Sequence, residues 1–211
     1  MTKRCEGRPW SKEWMQDKVG HASASRMVDV MAKLKGKGEA AARRNYRIQL
    51  VAERLTNVSQ GDTYVSPRMQ WGIEQEAFAR SEYEIRADCM TDLVGFGLHE
   101  TIEHYGASPD GLVGKNGLLE LKCPDTSTHI TWILEGVVPE EHQPQMFAQM
   151  DVWERDWCDF VSFDPRVPKN LQLFTIRLPR DEMRIAELRD GVIQFNAEVD
   201  ALIAKLREWK G

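Results

Sequence analysis

Residues 107–124 read Ala-Ser-Pro-Asp-Gly-Leu-Val-Gly-Lys-Asn-Gly-Leu-Leu-Glu-Leu-Lys-Cys-Pro, and they restrict the folding of the chain more than any other stretch. Leu112 and Val113 form a short apolar run. It leads into Gly114-Lys115-Asn116-Gly117, a strong turn signal because Asn and Gly tolerate positive φ. A second run follows, Leu118 to Lys122. The pattern predicts a β-hairpin with Asp110 at the mouth of its first strand. Alternate side chains of a strand share a face, so Glu120 and Lys122 point one way and Leu119 and Leu121 the other. The fold-back brings Asp110 and Glu120 to the same end.

Two carboxylates held close repel, and one is driven to keep a proton unless a cation lies between them. Hard divalent cations with oxygen ligands meet that need, Mg²⁺ above all. Such a metal activates a water, which Lys122 can orient or help deprotonate. The spacing also fits a surface hairpin whose Glu and Lys are merely solvated, since Asp-Gly and Glu-x-Lys are each common. Spacing alone leaves both readings open.

The length of 211 residues, 42% hydrophobic and 29% charged, fits one globular domain over 1–211 with a long C-terminal helix. No run approaches the ~18 apolar residues of a membrane span. The first residues, Met-Thr-Lys-Arg-Cys-Glu-Gly-Arg, lack the apolar core of a secretory signal, which predicts a cytoplasmic protein. Cys5, Cys89, Cys123 and Cys158 form no Cys-x-x-Cys pair, so the expectation is reduced thiols rather than a zinc or iron–sulfur site. The net charge of −5 divides unevenly: residues 1–58 carry +7 and residues 59–211 carry −12. A basic N-terminal part suits a polyanion, and an acidic remainder suits metal binding and a negative rim. Two solvated charged faces would give the same numbers.

Along the chain, Ser11 is a candidate helix cap after Trp10. Ser23 or Ser25 is a candidate cap for a helix with Met27, Val28, Met31 and Leu34 inside, and such a helix start beside hydroxyls and a Lys suits a phosphate. Gly36-Lys37-Gly38 breaks it. Residues 39–57 read as a helix with Tyr46, Leu50, Val51 and Leu55 inside. Arg43, Arg44, Arg47 and Arg54 lie mostly outside, a face able to line a DNA backbone or simply to meet water. After a loop over 58–67, residues 68–83 read as a helix with Met69, Ile73, Phe78 and Tyr83 at helical spacing. Residues 92–103 are strand-like. Residues 126–138 form an amphipathic stretch ended by Gly136, and a helix runs from Pro139 to Trp153. Strands are expected over 158–163 and 171–177, joined through Asp164-Pro165-Arg166. A helix from about Arg180 to Lys210 carries Ile185, Leu188, Ile193, Phe195, Val199, Ile203 and Leu206 as its apolar stripe. Strands alternating with helices indicate an α/β core.

The combined Ser108-Pro109-Asp110-Gly111 and Leu119-Glu120-Leu121-Lys122-Cys123-Pro124 resembles the signature of the phage lambda-type exonuclease family. These are nucleases of the Pro-Asp…(Asp/Glu)-x-Lys superfamily, with a restriction-endonuclease-like core of mixed sheet flanked by helices. The resemblance extends more weakly from Trp14 to about Arg166. Trp71-Gly72 with Glu76 is similar to the family's Trp-Gly-x-x-x-Glu helix, whose Glu helps build the metal site. Trp14, Gly20 and Ser25 resemble the N-terminal pattern that holds a 5′-phosphate. Lys18 stands there in place of Arg, keeping the charge but not the bidentate fork. Ser108 is a further phosphate or backbone contact by the same resemblance. Met69 occupies the position of an apolar wedge between strands, and equally suits a core methionine. The helix around Gln143, Gln145 and Gln149 resembles the family's glutamine-rich helix beside the site. Gln145 is the candidate site residue, although the sequence does not order the three.

The resemblance implies a Mg²⁺-dependent exonuclease, with Mn²⁺ able to substitute, that digests one strand of duplex DNA from its 5′ end and leaves a 3′ overhang. It implies two ions per site: Asp110 bridging both, Glu120 and the Leu121 carbonyl holding one, Glu76 helping to hold the other, and Lys122 positioning the attacking water. It further implies a homotrimeric ring threaded by DNA, a phage single-strand annealing protein as partner, and a bacterial host cytoplasm. The rivals are a superfamily endonuclease and a DNA-binding module that has lost catalysis.

Overall fold

The computed structural model describes the backbone of residues 3–4 and residues 11–33, 38–61 and 66–210. Cys5, Trp10, Leu34 and Gly36-Lys37 lie outside the described residues, as does part of the 58–67 loop. In chain order the elements are β1 (Lys3–Arg4), α1 (Lys12–Asp17), β2 (Ala22–Ser23), a 3-10 turn (Ala24–Arg26), α2 (Met27–Val30), α3 (Ala41–Thr56) and α4 (Pro67–Ala87). There follow β3 (Thr91–Asp92), β4 (Gly97–Leu98), β5 (Tyr105–Ala107), β6 (Gly111–Val113), β7 (Gly117–Lys122), α5 (Thr126–Glu135) and α6 (Gln143–Val152). The chain closes with β8 (Trp157–Phe163), a second 3-10 turn (Lys169–Leu171), β9 (Leu173–Pro179) and α7 (Glu182–Arg207).

Two sheets form, one ordered β1-β4-β5-β2 and one ordered β3-β6-β7-β8-β9. In the larger sheet β7 and β8 run parallel and the other neighbours antiparallel, so the expected mixed sheet is present. The predicted hairpin is β6–β7, with Gly111 opposite Leu119 and Val113 opposite Gly117. Both faces of this sheet are covered. Leu119 and Leu121 pack with Val161, Phe163 and the α4 residues Ala79 and Tyr83. Leu118 and Phe160 face the larger core with Tyr46, Leu50, Phe147 and Phe195. A strand buried on both sides cannot be a solvated surface ribbon, which removes the bland reading of the hairpin.

Local chemistry explains the helix boundaries. The Ser11 hydroxyl accepts the Trp14 N–H (3.1 Å), as a helix cap does. Ser66 accepts the Met69 N–H (3.2 Å), with Pro67 beside it in the first turn of α4. Asp181 caps α7 by accepting from the N–H groups of Met183 and Arg184 (2.9 and 3.2 Å). Gly136, at φ +64°, ends α5 in the left-handed conformation that glycine reaches without strain.

Several expected boundaries and faces differ. No helix grows from Ser23 or Ser25: the Ser23 N–H donates to the Tyr46 hydroxyl (3.0 Å), and a 3-10 turn precedes the four-residue α2. Of the strand-like residues 92–103, only Asp92, at the end of β3, and Gly97–Leu98 (β4) lie in strands. Helix α6 starts at Gln143 rather than Pro139, and β9 runs to Pro179. On α7 the buried stripe takes Val192, leaving Ile193 and Leu206 half-exposed, because 185, 188, 192, 195, 199 and 203 follow the 3.6-residue period more closely. Leu55 is also largely exposed; the buried α3 residues include Glu53 instead.

The largest correction concerns the arginines of α3. Arg43 donates to Glu198 of α7 (Nη2 to Oε1, 3.0 Å) and to the Val30 carbonyl (3.0 Å). Arg47 shares Glu198 and pairs with Glu39 (2.6 Å each). Arg54 donates to Asp200 (2.8 Å) and Asn196 (2.7 Å). Arg43, Arg47 and Arg54 therefore staple α3 to α7 instead of forming an outward basic face, and Arg44 stays exposed. A guanidinium fork matches a carboxylate geometrically, which favours this pairing once the two helices pack.

Candidate active site

The hairpin delivers the two carboxylates as its register requires. The Asp110 N–H donates to the Leu119 carbonyl (3.1 Å), continuing the β6–β7 ladder past Gly111. The Asp110 side chain then turns across: its Oδ2 accepts the Leu121 N–H at 2.6 Å, beside Glu120. The guanidinium of Arg80 on α4 donates to the Asp110 carbonyl and fixes the backbone from the other side. Arg80 was not among the sequence candidates; its one signal is its place a helical turn after Glu76.

Glu120 is 1% exposed. A carboxylate removed from water needs partners, and Glu120 has three. Its Oε1 accepts from the Lys122 ammonium and from Gln145 Nε2 (2.6 Å), and its Oε2 accepts from Gln149 Nε2 (2.6 Å). The glutamine helix α6 thus meets β7 through two residues four apart. Gln143 instead donates to the Val138 carbonyl (2.9 Å). The Oε1 of Gln149 receives the Cys158 thiol at 3.9 Å.

The electrostatics follow from this crowding. Burial, then the neighbouring Glu120, pushes the Asp110 carboxyl up to about 8, against the pull of Lys122 and the Leu121 N–H; Glu76 adds to the rise. Burial would lower the Lys122 ammonium, but Glu120, Asp110 and Glu76 together hold it above its ordinary value. Burial, then Glu76 and Asp110, raises the Cys123 thiol to about 12, so it stays protonated. Glu76 on α4 contributes charge to this corner. Among the described residues, however, no three His, Cys, Asp or Glu side chains form a group spaced to hold a single ion.

The donor set fits a hard dication. Its oxygens come from Asp110 and Glu120, and burial together with the neighbouring Glu120 drives Asp110 toward its protonated form. A bound cation would take over the role of that proton.

Lys18 stands within the field of both carboxylates. Burial lowers its ammonium to about 8, while Asp110 and Glu120 pull the other way. Its Nζ lies 3.2 Å from the centroid of the Trp14 ring. Trp14 Nε1 donates to the Ser108 hydroxyl (2.9 Å), which donates to the Gly95 carbonyl (3.3 Å). Lys18 and Ser108 are thus linked through one indole, just upstream of Asp110. Ser25 is exposed, its hydroxyl 3.1 Å from that of Ser23. Met69 is 55% exposed in the first turn of α4, so it is not a core methionine. The Asp164-Pro165-Arg166 turn is built by buried Asp164, which accepts from the Arg166 main chain (2.9 Å) and side chain (2.7 Å) and from the Thr126 hydroxyl (2.6 Å).

Comparison with solved structures finds an alkaline exonuclease from Laribacter hongkongensis. It is 43% identical, with a TM-score of 0.87, over 93% of this chain and 96% of that one. The same enzyme in complex with dAMP matches equally. A phage related exonuclease from Haemophilus somnus 129PT, 16% identical, has a TM-score of 0.68 over 91% of this chain and 99% of that one, a likeness of fold. The comparison with curated proteins gives no match. The family model of the YqaJ-like viral recombinase domain matches residues 13–156, a span that holds Lys18, Glu76, Asp110, Glu120, Lys122 and Gln149. On that match, and with the hairpin, the glutamine helix and the carboxylate pair all inside it, the chain belongs to the YqaJ-like viral recombinase domain family.

Proposed function

We propose that this protein is a metal-dependent deoxyribonuclease that degrades duplex DNA from an end, in the 5′-to-3′ direction, leaving 3′ single strands for recombination by annealing. The observation that carries the reading is the Asp110–Glu120 pair, Glu120 buried and Asp110 half-buried, with the Lys122 ammonium in contact with Glu120. The 43% identity to an alkaline exonuclease supports the same class of reaction.

In this reading Asp110, Glu120 and the Leu121 carbonyl hold Mg²⁺, or Mn²⁺ in its place, and Glu76 helps to hold a second ion. When bound, the metal supplies a Lewis acid for the phosphoryl oxygen and lowers the pKa of a coordinated water. The residues of the chain do the rest. Gln145 and Gln149 fix the Glu120 carboxylate in one orientation. Lys122, kept charged by its acidic neighbours, orients the water and offsets the charge gathering on the phosphate. Lys18 and Ser108, joined through Trp14, receive the terminal phosphate. A homotrimeric ring around the DNA, a phage single-strand annealing protein as partner and a bacterial host cytoplasm complete the proposal. No helix among the described residues is long and apolar enough to cross a membrane.

The test pairs a linear duplex bearing a 5′-phosphate with a closed circular plasmid, each with Mg²⁺. Loss of the linear form alone is expected. Cutting of the circle would make the protein an endonuclease, and inertness on both a binding module. Asp110→Ala should abolish degradation at every Mg²⁺ concentration with an unchanged circular dichroism spectrum. Full activity in that variant ends the proposal.

A further inference from the structure

Beside the carboxylates lies a groove of about 460 Å³ lined by Pro67, Arg68, Trp71, Cys123, Pro124 and Arg166, together with Asp125 and Thr128. It begins where the catalytic strand ends, since Cys123 directly follows Lys122. Its other wall is the first turn and a half of α4, which carries Glu76 one turn further on. The charges of Glu76 and Asp110 reach the Cys123 thiol in this wall, so groove and carboxylates share a corner of the molecule.

The groove has a built interior. The Arg166 guanidinium centre lies 4.1 Å from the centroid of the Trp71 ring. Its orientation is fixed: Nε and Nη2 donate to the buried Asp164 carboxylate (2.7 and 3.1 Å), and Nη2 also donates to the Pro124 carbonyl (3.0 Å). An aromatic ring and a rigid guanidinium plane stacked in an open groove form a platform for a flat π-system. Pro67 and Pro124 add apolar walls. At the rim the Arg68 side chain is 86% exposed and 3.4 Å from Asp125, a cation turned to solvent. A flat apolar platform, a cationic rim and a wall shared with the hydrolytic pair match a nucleotide better than a peptide or a lipid chain.

We propose that this groove is a nucleotide subsite. One base of a DNA strand leaving the carboxylate pair stacks on the Trp71–Arg166 platform, and Arg68 meets a flanking phosphate. The inference rests on the nuclease reading for its substrate class, but not on cleavage.

The test uses the Asp110→Asn protein, which does not cleave in the nuclease reading, and a short single-stranded oligonucleotide carrying 2-aminopurine at successive positions. Binding should quench the fluorophore at one position through stacking. Trp71→Ala should weaken binding roughly tenfold and abolish that quench, and Trp71→Phe should restore most of both; the quench at one nucleotide position is the readout that a merely structural role would not move. Arg68→Ala should lower the slope of log affinity against log salt by about one. Unchanged affinity and quenching in Trp71→Ala overturns the subsite. The two readings fail separately. If wild-type protein leaves linear duplex intact but the oligonucleotide still stacks at Trp71, the nuclease reading falls and the subsite stands.

Discussion

Replacing Gln149 with leucine removes one donor from a carboxylate that water does not reach. Glu120 is 1% exposed and Gln149 is wholly buried, with 2.6 Å between Gln149 Nε2 and Glu120 Oε2. Leucine keeps nearly the same volume, so the cost comes from the lost bond rather than from a cavity. A hydrogen bond to a charged partner contributes about 1.5–3 kcal/mol, and here no solvent replaces it. Taking about 2 kcal/mol, a chain of this size should melt about 4–8 °C lower. Gln145→Leu should cost less, about 1 kcal/mol, because Gln145 is only half-buried and water can step in. The decisive assay is a double-mutant cycle by urea denaturation with Glu120→Gln. With a neutral acceptor the cost of Gln149→Leu should fall to about 1 kcal/mol, leaving a coupling of about 1 kcal/mol. An equal loss in both backgrounds, or a melting point unchanged within about 1 °C, would refute the reasoning.

Three further outcomes follow from the N-terminal half. His21 lies beside His104, ring centroids 5.2 Å apart, and burial, then His104 and Arg54, lowers it to about 4. The unfolded chain therefore takes the proton first at His21 as pH falls, and this residue alone should contribute a loss of about 3 kcal/mol between pH 6.5 and 4, opposed over the same range by the raised Asp110 carboxyl; the loss is read as the difference between the wild-type and His21→Gln denaturation profiles. Arg43→Ala should cost about 1–2 kcal/mol in a thermal melt by removing its bonds to Glu198 and the Val30 carbonyl, Arg47 still holding Glu198, yet leave the salt dependence of DNA binding unchanged. Arg44→Ala should leave the melt unchanged, and a reduced salt slope there would mark it as the phosphate contact.

The hairpin was legible because three independent signals coincide: period-two alternation, an Asn-Gly turn, and the placing of Asp110 and Glu120 relative to it. Each depends only on residues within a few positions. The burial of Glu120 was not legible, because it depends on parallel pairing with β8, some forty residues away, and on α6 lying across that face. Arg43, Arg47 and Arg54 misled for the same reason. Their partners Glu198, Asn196 and Asp200 lie some 140–160 residues downstream, and no local pattern announces a staple between distant helices. The four-residue spacing of Gln145 and Gln149 already placed them on one helical face; which face meets β7 depends on how α6 packs across the sheet, and no local pattern shows that.

The staple between α3 and α7 has a consequence for biosynthesis. Glu53 accepts the Gly20 N–H and Arg54 donates to the Gly20 carbonyl, so α3 grips the segment just beyond Lys18; Arg54 is itself anchored by Asn196 and Asp200. Asn196 also holds the Glu103 carbonyl, a few residues before Ser108. On the ribosome, a chain that has emerged only as far as β9 carries Asp110, Glu120 and Lys122 but lacks the helix that moors the segments holding Lys18 and Ser108. A chain made in that order completes the mooring of its N-terminal segment only after Asn196 and Asp200 have been added.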